Sequence, residues 1–157
     1  MAVFGLDGQT LKKLVADEWT EGPAESWLSG KRIVCFYFSA TWCPPCRAFT
    51  PMLKDAYDQY LISTDQYYDP CKDIEVVFVS FDRTDEEMIN YMKECHGKWL
   101  AVSRNSDLAI SLSTKFGVQS IPALIVCKSD GSVLTTDGRA DVQKAGSEGI
   151  KHWFRKL

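Results

Sequence analysis

Two cysteines, Cys43 and Cys46, are separated by two prolines and follow directly on an apolar segment of the chain. That segment, Lys31–Ser39, shows almost no polar alternation, which is typical of a strand buried on both faces. Pro44 suits the first turn of a helix, where its missing N–H breaks no helical hydrogen bond. The sequence therefore predicts a buried strand, a short turn that carries both thiols, and a helix that begins just after Cys43.

This placement favours thiol chemistry. Unpaired N–H groups and the positive end of the dipole at a helix N-terminus stabilise a thiolate, and the thiolate is the form that attacks disulfides. Cys43 is therefore the predicted nucleophile, an exposed thiol of low pKa. Cys46 lies one helical turn later and is predicted to be the buried thiol that resolves a mixed disulfide and releases the reduced substrate.

Two other interpretations of the cysteine pair stay open. The pair could belong to a structural zinc site, which needs four ligands, usually as two spaced pairs. The remaining candidate ligands do not form a second tight pair: Cys71, Cys95, His96 and His152. The pair could also lie in a structural domain without chemistry. Pro51, five residues after Cys46, favours the redox interpretation, for which we expect neither a metal nor a bound cofactor.

A second proline motif lies downstream. Ile121 and Pro122 stand directly before the predicted strand Ala123–Lys128. Proline offers no backbone donor, and the bond before it can adopt the cis form. We expect a cis bond at Pro122, in a loop beside the thiols whose backbone groups bind an extended substrate by strand addition.

The remaining pattern predicts one α/β domain over residues 1–157, with 1–30 as an N-terminal extension of the fold and 31–154 as its core. The other predicted elements are a strand at Gln9–Val15, a helical turn at Pro23–Leu28, a loop at Ser63–Lys72, a strand at Ile74–Phe81, a helix capped by Thr84 that runs to Cys95, helices at Asp107–Phe116 and Val142–Phe154, and a hairpin of Ala123–Lys128 with Ser132–Thr135. The strand–helix–strand crossover implies parallel strands, and the hairpin adds an antiparallel edge.

Composition excludes several function classes. The net charge of −3 argues against a nucleic-acid partner. No apolar run approaches the roughly 20 residues of a membrane span, and the N-terminus lacks the features of a signal peptide. Six cysteines without a secretory signal fit a reducing compartment. We therefore expect the cytoplasm, with the nucleus as an alternative, and no membrane partner.

In this context the chain resembles the thioredoxin superfamily, and within it the tryparedoxin and nucleoredoxin branch. The resemblance is carried by Phe36–Arg47, Phe49–Pro51, Glu75–Ser80, His96–Val102 and Asp137–Arg139, and covers roughly Lys31 to Phe154. It implies a thioredoxin fold, an α/β fold with a central mixed sheet flanked by helices. It also implies reduction of disulfide-containing proteins, with a reductase or a low-molecular-weight thiol as electron donor. The alternative that it allows is a redox-regulated protein-binding module with little turnover.

By position, the resemblance assigns the nucleophile to Cys43, the resolving thiol to Cys46, the cis-proline to Pro122 and the aromatic residue beside the motif to Trp42. Arg139 matches an arginine near the substrate groove of tryparedoxins. These assignments agree with the roles that the residues themselves predict for the two cysteines and the proline.

Two departures from the family pattern affect the expected chemistry. Tyr37 occupies the place where ordinary thioredoxins carry a buried acid, so Asp82, at the end of its strand, is the predicted proton acceptor for Cys46. Arg83 follows it, where tryparedoxins have an acidic residue suited to a polyamine-conjugated thiol. We expect Arg83 to repel such a cationic donor.

The other cysteines are predicted to take no part in turnover. Cys35 and Cys127 lie within apolar strands and are expected to be inert core thiols. Cys95 lies late on a helix and is expected to be buried. Cys71 lies in the polar loop, where exposure permits oxidation, but a resolving thiol is already supplied within the motif.

Overall fold

The structure is a computed structural model that describes residues 4–66 and 73–157. The strands are β1 (Thr10–Val15), β2 (Glu18–Pro23), β3 (Ile33–Ser39), β4 (Ile74–Ser80), β5 (Leu100–Ala101), β6 (Ala123–Lys128) and β7 (Val133–Thr135). The helices are α1 (Ala24–Trp27), α2 (Pro44–Ser63), α3 (Asp85–Cys95), α4 (Asp107–Lys115), α5 (Gly138–Ala145) and α6 (Ser147–Arg155). Within the described ranges, no helix is both long and apolar enough to cross a membrane.

The strands form one mixed sheet of seven in the order β2-β1-β5-β4-β3-β6-β7. β3 pairs in parallel with β4, and β4 with β5, while the pairs β3–β6, β6–β7, β1–β5 and β1–β2 are antiparallel. This confirms the predicted mixed sheet, including the parallel crossover and the hairpin at one edge.

The central strand β3 connects the two halves of the core. All seven of its residues are buried, and successive side chains point to opposite faces of the sheet. Ile33, Cys35 and Tyr37 pack in the cluster that buries the apolar faces of α2, α3, α5 and α6. Val34, Phe36 and Phe38 pack in the second cluster, with the N-terminal segment, α1 and α4. The lack of polar alternation in the sequence follows from this burial on both faces.

Three elements differ from the predictions. β2 was not predicted, because its one large apolar residue is Trp19 and most of its residues are exposed; it is an edge strand joined to β1 by a turn in which Ala16 and Asp17 have positive φ. β5 has two residues and exists through its pairing with β1 and β4. The predicted single tail helix is divided at Gly146, whose φ of 56° is one that glycine adopts without strain.

The helices α5 and α6 meet at a glycine. A Cβ atom at Gly149 would lie 2.7 Å from the backbone oxygen of Asp141. Backbone cannot rotate away as a side chain can, so the two helices would have to separate. Their separation would also strain the 2.8 Å hydrogen bond that Trp153 Nε1 donates to the Asp141 carboxylate.

We expect Gly149→Ala to lower the free energy of unfolding by about 1 kcal/mol or more, because overpacking costs of about 1–3 kcal/mol exceed the helix-propensity gain of alanine. Chemical denaturation measures the change, and Ser147→Ala in the same helix serves as the control. A Gly149→Ala protein more stable than the wild type would contradict this close approach.

Candidate active site

Three loops converge at one end of the central strands. Ser39 and Ser80 pair across the parallel strands β3 and β4, so the segments that follow them leave the sheet side by side. Ala123 pairs with Phe38 of the antiparallel neighbour, which brings the segment before β6 to the same end. In sheets of this kind, ligands bind outside the carboxyl ends of the parallel strands.

Cys43 and Cys46 lie in the first of these loops and form a disulfide. Cys43 is the N-cap of α2, and its sulfur accepts a hydrogen bond of 3.3 Å from the Cys46 backbone N–H. Cys46 is fully buried and Cys43 is 5% exposed. The prediction of an exposed Cys43 is therefore wrong for the disulfide form. Phe81 and Ile121 pack around the cysteine pair and cover Cys43. Among the described residues, no group of three or more possible metal ligands gathers anywhere.

The second proline motif lies beside the dithiol, as predicted. The Ile121–Pro122 bond is cis. The Ile121 carbonyl oxygen lies 3.8 Å from Cys43 Sγ. Pro122 is buried and Ile121 is half-buried.

Trp42 forms an exposed wall beside the cysteines. Its Nε1 donates a hydrogen bond of 3.0 Å to the Phe81 carbonyl oxygen, and 45% of the residue remains exposed. The Arg83 guanidinium lies over its ring, 5.4 Å from the centroid, which is a cation–π distance. The structure thus places a fixed positive charge at the rim of the site.

Asp82 anchors the loop that carries the cysteines. One carboxylate oxygen accepts a hydrogen bond of 2.6 Å from the Thr41 N–H, and the other accepts one of 2.6 Å from the Ser80 hydroxyl. The carboxylate is buried, and burial raises its pKa. These bonds account for its position. In the described part of the chain no hydrogen bond joins it to Cys46, and its role as proton acceptor stays a prediction.

Beneath the dithiol, four buried hydroxyl groups form a network that the sequence analysis did not identify. Thr50 Oγ1 donates to the Cys46 carbonyl oxygen over 2.9 Å and shares hydrogen bonds of 2.5 Å with the Tyr37 and Tyr91 hydroxyls. The Tyr91 hydroxyl also bonds Ser39 Oγ at 2.7 Å. Burial raises the pKa of both tyrosines, so the network is neutral at physiological pH. It fixes the first turn of α2 to the sheet and to α3.

Thr50→Val removes the centre of this network while conserving volume. Each buried polar group left without a partner costs about 1–3 kcal/mol, so we expect the free energy of unfolding to fall by about 2–4 kcal/mol. Thr50→Ser keeps the hydroxyl and is the matched control. Denaturation curves of the two variants measure the difference; equal stabilities would show that the hydroxyl is dispensable.

The remaining predicted residues are Arg139 and the four cysteines outside the motif. Arg139 is half-buried in the first turn of α5, and in the described part of the chain no hydrogen bond or ion pair links it to the cysteines. Cys35 and Cys127 are buried, as predicted, and burial raises the pKa of Cys127 to about 12. Cys95 is free and only partly buried, which corrects its predicted burial. Cys71 lies outside the described residues.

Comparison with known proteins agrees with this architecture. Residues 30–133 match the family model described as thioredoxin-like. Human nucleoredoxin-like protein 1 is 37% identical over 123 residues, which cover 78% of this chain and 57% of that protein. The crystal structure of thioredoxin from Wuchereria bancrofti has a TM-score of 0.77 at 42% identity and covers 97% of this chain and 98% of its own.

A tryparedoxin II solved in complex with glutathionylspermidine has a TM-score of 0.72 at 33% identity, with 90% of each chain covered. The family match and these similarities show that the chain belongs to the thioredoxin-like family. Its relatives include tryparedoxins and nucleoredoxin-like proteins, as the sequence motifs predicted. The chain spans little more than half the length of the human nucleoredoxin-like relative.

Proposed function

We propose that this chain is a thiol–disulfide oxidoreductase that reduces disulfides in proteins through Cys43 and Cys46. The observation that carries the proposal is the dithiol itself: both sulfurs lie at the N-terminus of α2, within bonding reach, beside the Ile121–Pro122 loop. Membership of the thioredoxin-like family supports the reaction class.

The reaction proceeds by two exchanges. The Cys43 thiolate attacks one sulfur of the substrate disulfide, a mixed disulfide forms, and the other substrate sulfur leaves as a thiolate. The Cys46 thiolate then attacks Cys43 Sγ, which closes the Cys43–Cys46 disulfide and releases the second substrate thiol. Two electrons pass from the dithiol to the substrate. A reductase or a low-molecular-weight thiol returns them by the reverse exchange.

Local structure suits each cysteine to its role. Cys43 Sγ accepts the Cys46 N–H and lies at the positive end of the helix dipole, and both effects favour its thiolate. Cys46 is fully buried, so substrates do not reach its sulfur, and it attacks Cys43 Sγ of the mixed disulfide from the protein interior. The backbone of the Ile121–Pro122 loop and the ring of Trp42 flank the place where an extended substrate would bind.

We expect Cys43→Ser to abolish insulin reduction with dithiothreitol as donor, a loss of more than about 100-fold, because no attacking thiolate remains. Cys46→Ser should instead accumulate a mixed disulfide on Cys43, detectable by mass spectrometry. Cys95→Ser, which removes a thiol outside the site, is the control and should keep activity within about twofold.

Two outcomes would contradict these roles. Preferential alkylation of Cys46 in the reduced protein near pH 6 would reverse the assignment of the cysteines. A wild-type protein that captures partners in an oxidation-dependent way but does not turn over insulin would favour the redox-regulated binding module instead.

We further propose that Arg83 selects against cationic electron donors. Its guanidinium lies over Trp42, at the rim of the dithiol, and no ion pair within the described ranges neutralises it. A related tryparedoxin II binds glutathionylspermidine, a thiol that carries a polyamine. Charges separated by less than a Debye length of about 8 Å are only partly screened at physiological salt, so Arg83 repels such a donor.

Arg83→Glu should raise kcat/KM for glutathionylspermidine by about 3–10-fold, since reversing one charge at the rim changes a surface interaction by about 1 kcal/mol. The rate with dithiothreitol, which is uncharged, should change less than twofold. Lys156→Glu makes the same charge change at the C-terminus and should alter neither rate. Equal gains with both donors would remove charge selection as the cause.

A further inference from the structure

The hydroxyl network beneath the dithiol has one arrangement of protons that satisfies it. In the part of the chain that the structure describes, four hydrogen bonds hold it together: Tyr37 with Thr50, Thr50 with Tyr91, Tyr91 with Ser39, and Thr50 with the Cys46 carbonyl oxygen. The four hydroxyl groups carry four protons, one for each bond. A carbonyl oxygen only accepts, so the Thr50 proton must point at Cys46.

The position of this proton fixes the other three. Thr50 Oγ1 has no second proton, so the Tyr37 and Tyr91 hydroxyls both donate to it. Tyr91 then has no proton for Ser39, whose hydroxyl must donate to Tyr91. The O–H groups are therefore connected in one direction, and the direction ends at the Cys46 carbonyl. Hydrogen bonds connected in this way polarise and strengthen one another.

The connection continues into the first turn of α2. The Cys46 carbonyl shares its peptide group with the Arg47 N–H, which donates to the Cys43 carbonyl oxygen over 3.0 Å. A proton held at one end of a peptide group makes the N–H at its other end a stronger donor. The N–H of Cys46 itself donates to Cys43 Sγ over 3.3 Å. The network thus fixes the turn of backbone whose N–H contacts the Cys43 sulfur.

The titratable groups that α3 places beside the network are neutral at physiological pH. The His96 ring lies 4.5 Å from the Tyr91 ring, and burial lowers the pKa of His96 to about 3. Cys95 Sγ donates to the Tyr91 carbonyl oxygen, and burial raises the pKa of this thiol. The polarity that reaches Cys46 from this side therefore comes from oriented hydroxyl groups.

Charged groups lie around the network, on α2, on α3 and after β4. The Arg47 guanidinium is 6.0 Å from the centroid of the Tyr91 ring and pairs with Glu94 at 3.2 Å. Asp82 accepts the Thr41 N–H, and Arg83 lies over the Trp42 ring. The substitutions used below leave all of these charged groups in place, so their contribution is common to every variant.

We propose that Thr50 is a positioning residue for Cys43: through the Cys46 carbonyl it holds the Cys46 N–H against the Cys43 sulfur and so stabilises the attacking thiolate. The inference rests on the proposed reductase function, because it concerns the thiolate that begins that reaction. A hydrogen bond to the charged form of a group favours that form. Loss of the Thr50 hydroxyl loosens this bond, so the thiolate forms at higher pH and the dithiol becomes less stable relative to the disulfide.

The pH dependence of Cys43 alkylation tests the proposal on the reduced full chain. Iodoacetamide is the reagent, and mass spectrometry identifies the modified cysteine. Thr50→Val should move the midpoint upward by about half to one pH unit, which is the equivalent of one hydrogen bond. Thr50→Ser keeps the hydroxyl and should retain the midpoint of the wild type. An unchanged midpoint in folded Thr50→Val, or a Thr50→Ser protein that behaves like Thr50→Val, would overturn the proposal.

Two tyrosine variants separate this effect from a loss of stability, and they decide the question if Thr50→Val does not fold. Tyr91→Phe removes one of the two donors to Thr50 and should move the midpoint upward by less than Thr50→Val does. Tyr57→Phe removes a buried hydroxyl of the same helix that donates to Glu75 over 3.4 Å, outside the network. It should leave the midpoint unchanged. No shift in Tyr91→Phe, or equal shifts in the two variants, would show that Thr50 has only a structural role.

Equilibrium with glutathione gives an independent measure. Reduced protein and glutathione disulfide yield the Cys43–Cys46 disulfide and two molecules of glutathione, so the equilibrium constant reports the stability of the dithiol relative to the disulfide. Above both alkylation midpoints, Thr50→Val should raise this constant about 3–10-fold. An unchanged or lower constant would contradict the proposal. Neither measurement requires turnover, so its failure is distinct from failure of the reductase proposal, which insulin reduction by the wild type tests.

Discussion

The burial of β3 on both faces is the constraint on which the rest of the structure depends. Its alternate side chains enter two separate core clusters, and each cluster requires its own layer of helices. The strand must therefore be central and must end at the surface of a three-layer structure. The turn that follows Ser39 is held in place because Asp82 accepts a hydrogen bond from the Thr41 N–H. As a consequence, Cys43 lies at the start of α2.

Neutral hydroxyl groups beneath the dithiol replace a charge. Where an ordinary thioredoxin has a buried acid, Tyr37 joins Thr50 and Tyr91 in hydrogen bonds that reach the Cys46 carbonyl oxygen. A carboxylate in this position would be costly to bury without a partner, whereas hydroxyl groups satisfy one another. The buried carboxylate of Asp82 holds the loop that carries the cysteines through the Thr41 N–H. The charged groups that the structure places around the dithiol loop are Arg47, Arg83 and Asp82.

Two regions of the protein differ in the polar groups that they contain: the surroundings of the dithiol and a cavity beside β1. Around the dithiol, backbone groups, a tryptophan and the guanidinium groups of Arg47 and Arg83 surround a pair of sulfurs within bonding reach. A cavity between the β1–β2 hairpin, α2 and the segment that joins α3 to β5 is lined by the buried Lys31–Glu75 ion pair and by His96, whose Nε2 has no partner among the described residues. His96 lies between the regions: its ring is 4.5 Å from that of Tyr91, whose hydroxyl belongs to the network below the cysteines.

Much of this arrangement could be predicted from the sequence because it depends on local chemistry. The continuous apolar segment, the proline after Cys43 and the Thr84 cap predicted β3, α2 and α3, and Ile121 with Pro122 predicted the loop beside the thiols. Motifs shared with tryparedoxins and nucleoredoxins predicted the family. These signals act over a few residues, or are conspicuous as whole motifs, so no knowledge of the fold was needed to find them.

Other features were decided by tertiary structure alone. β2 and β5 are strands because neighbouring strands supply their hydrogen bonds, and their own residues carry little strand signal. The hydroxyl network joins residues 37, 39, 50 and 91, and the cavity joins segments from β1 to β5; neither leaves a pattern along the chain. The low exposure of Cys43 depends on Phe81 and Ile121, which arrive from other loops. By itself the sequence determined the central strand, the dithiol and its helix, whereas burial, partners and charge balance were decided by contacts between distant residues, because solvation and hydrogen bonding depend on distance in space.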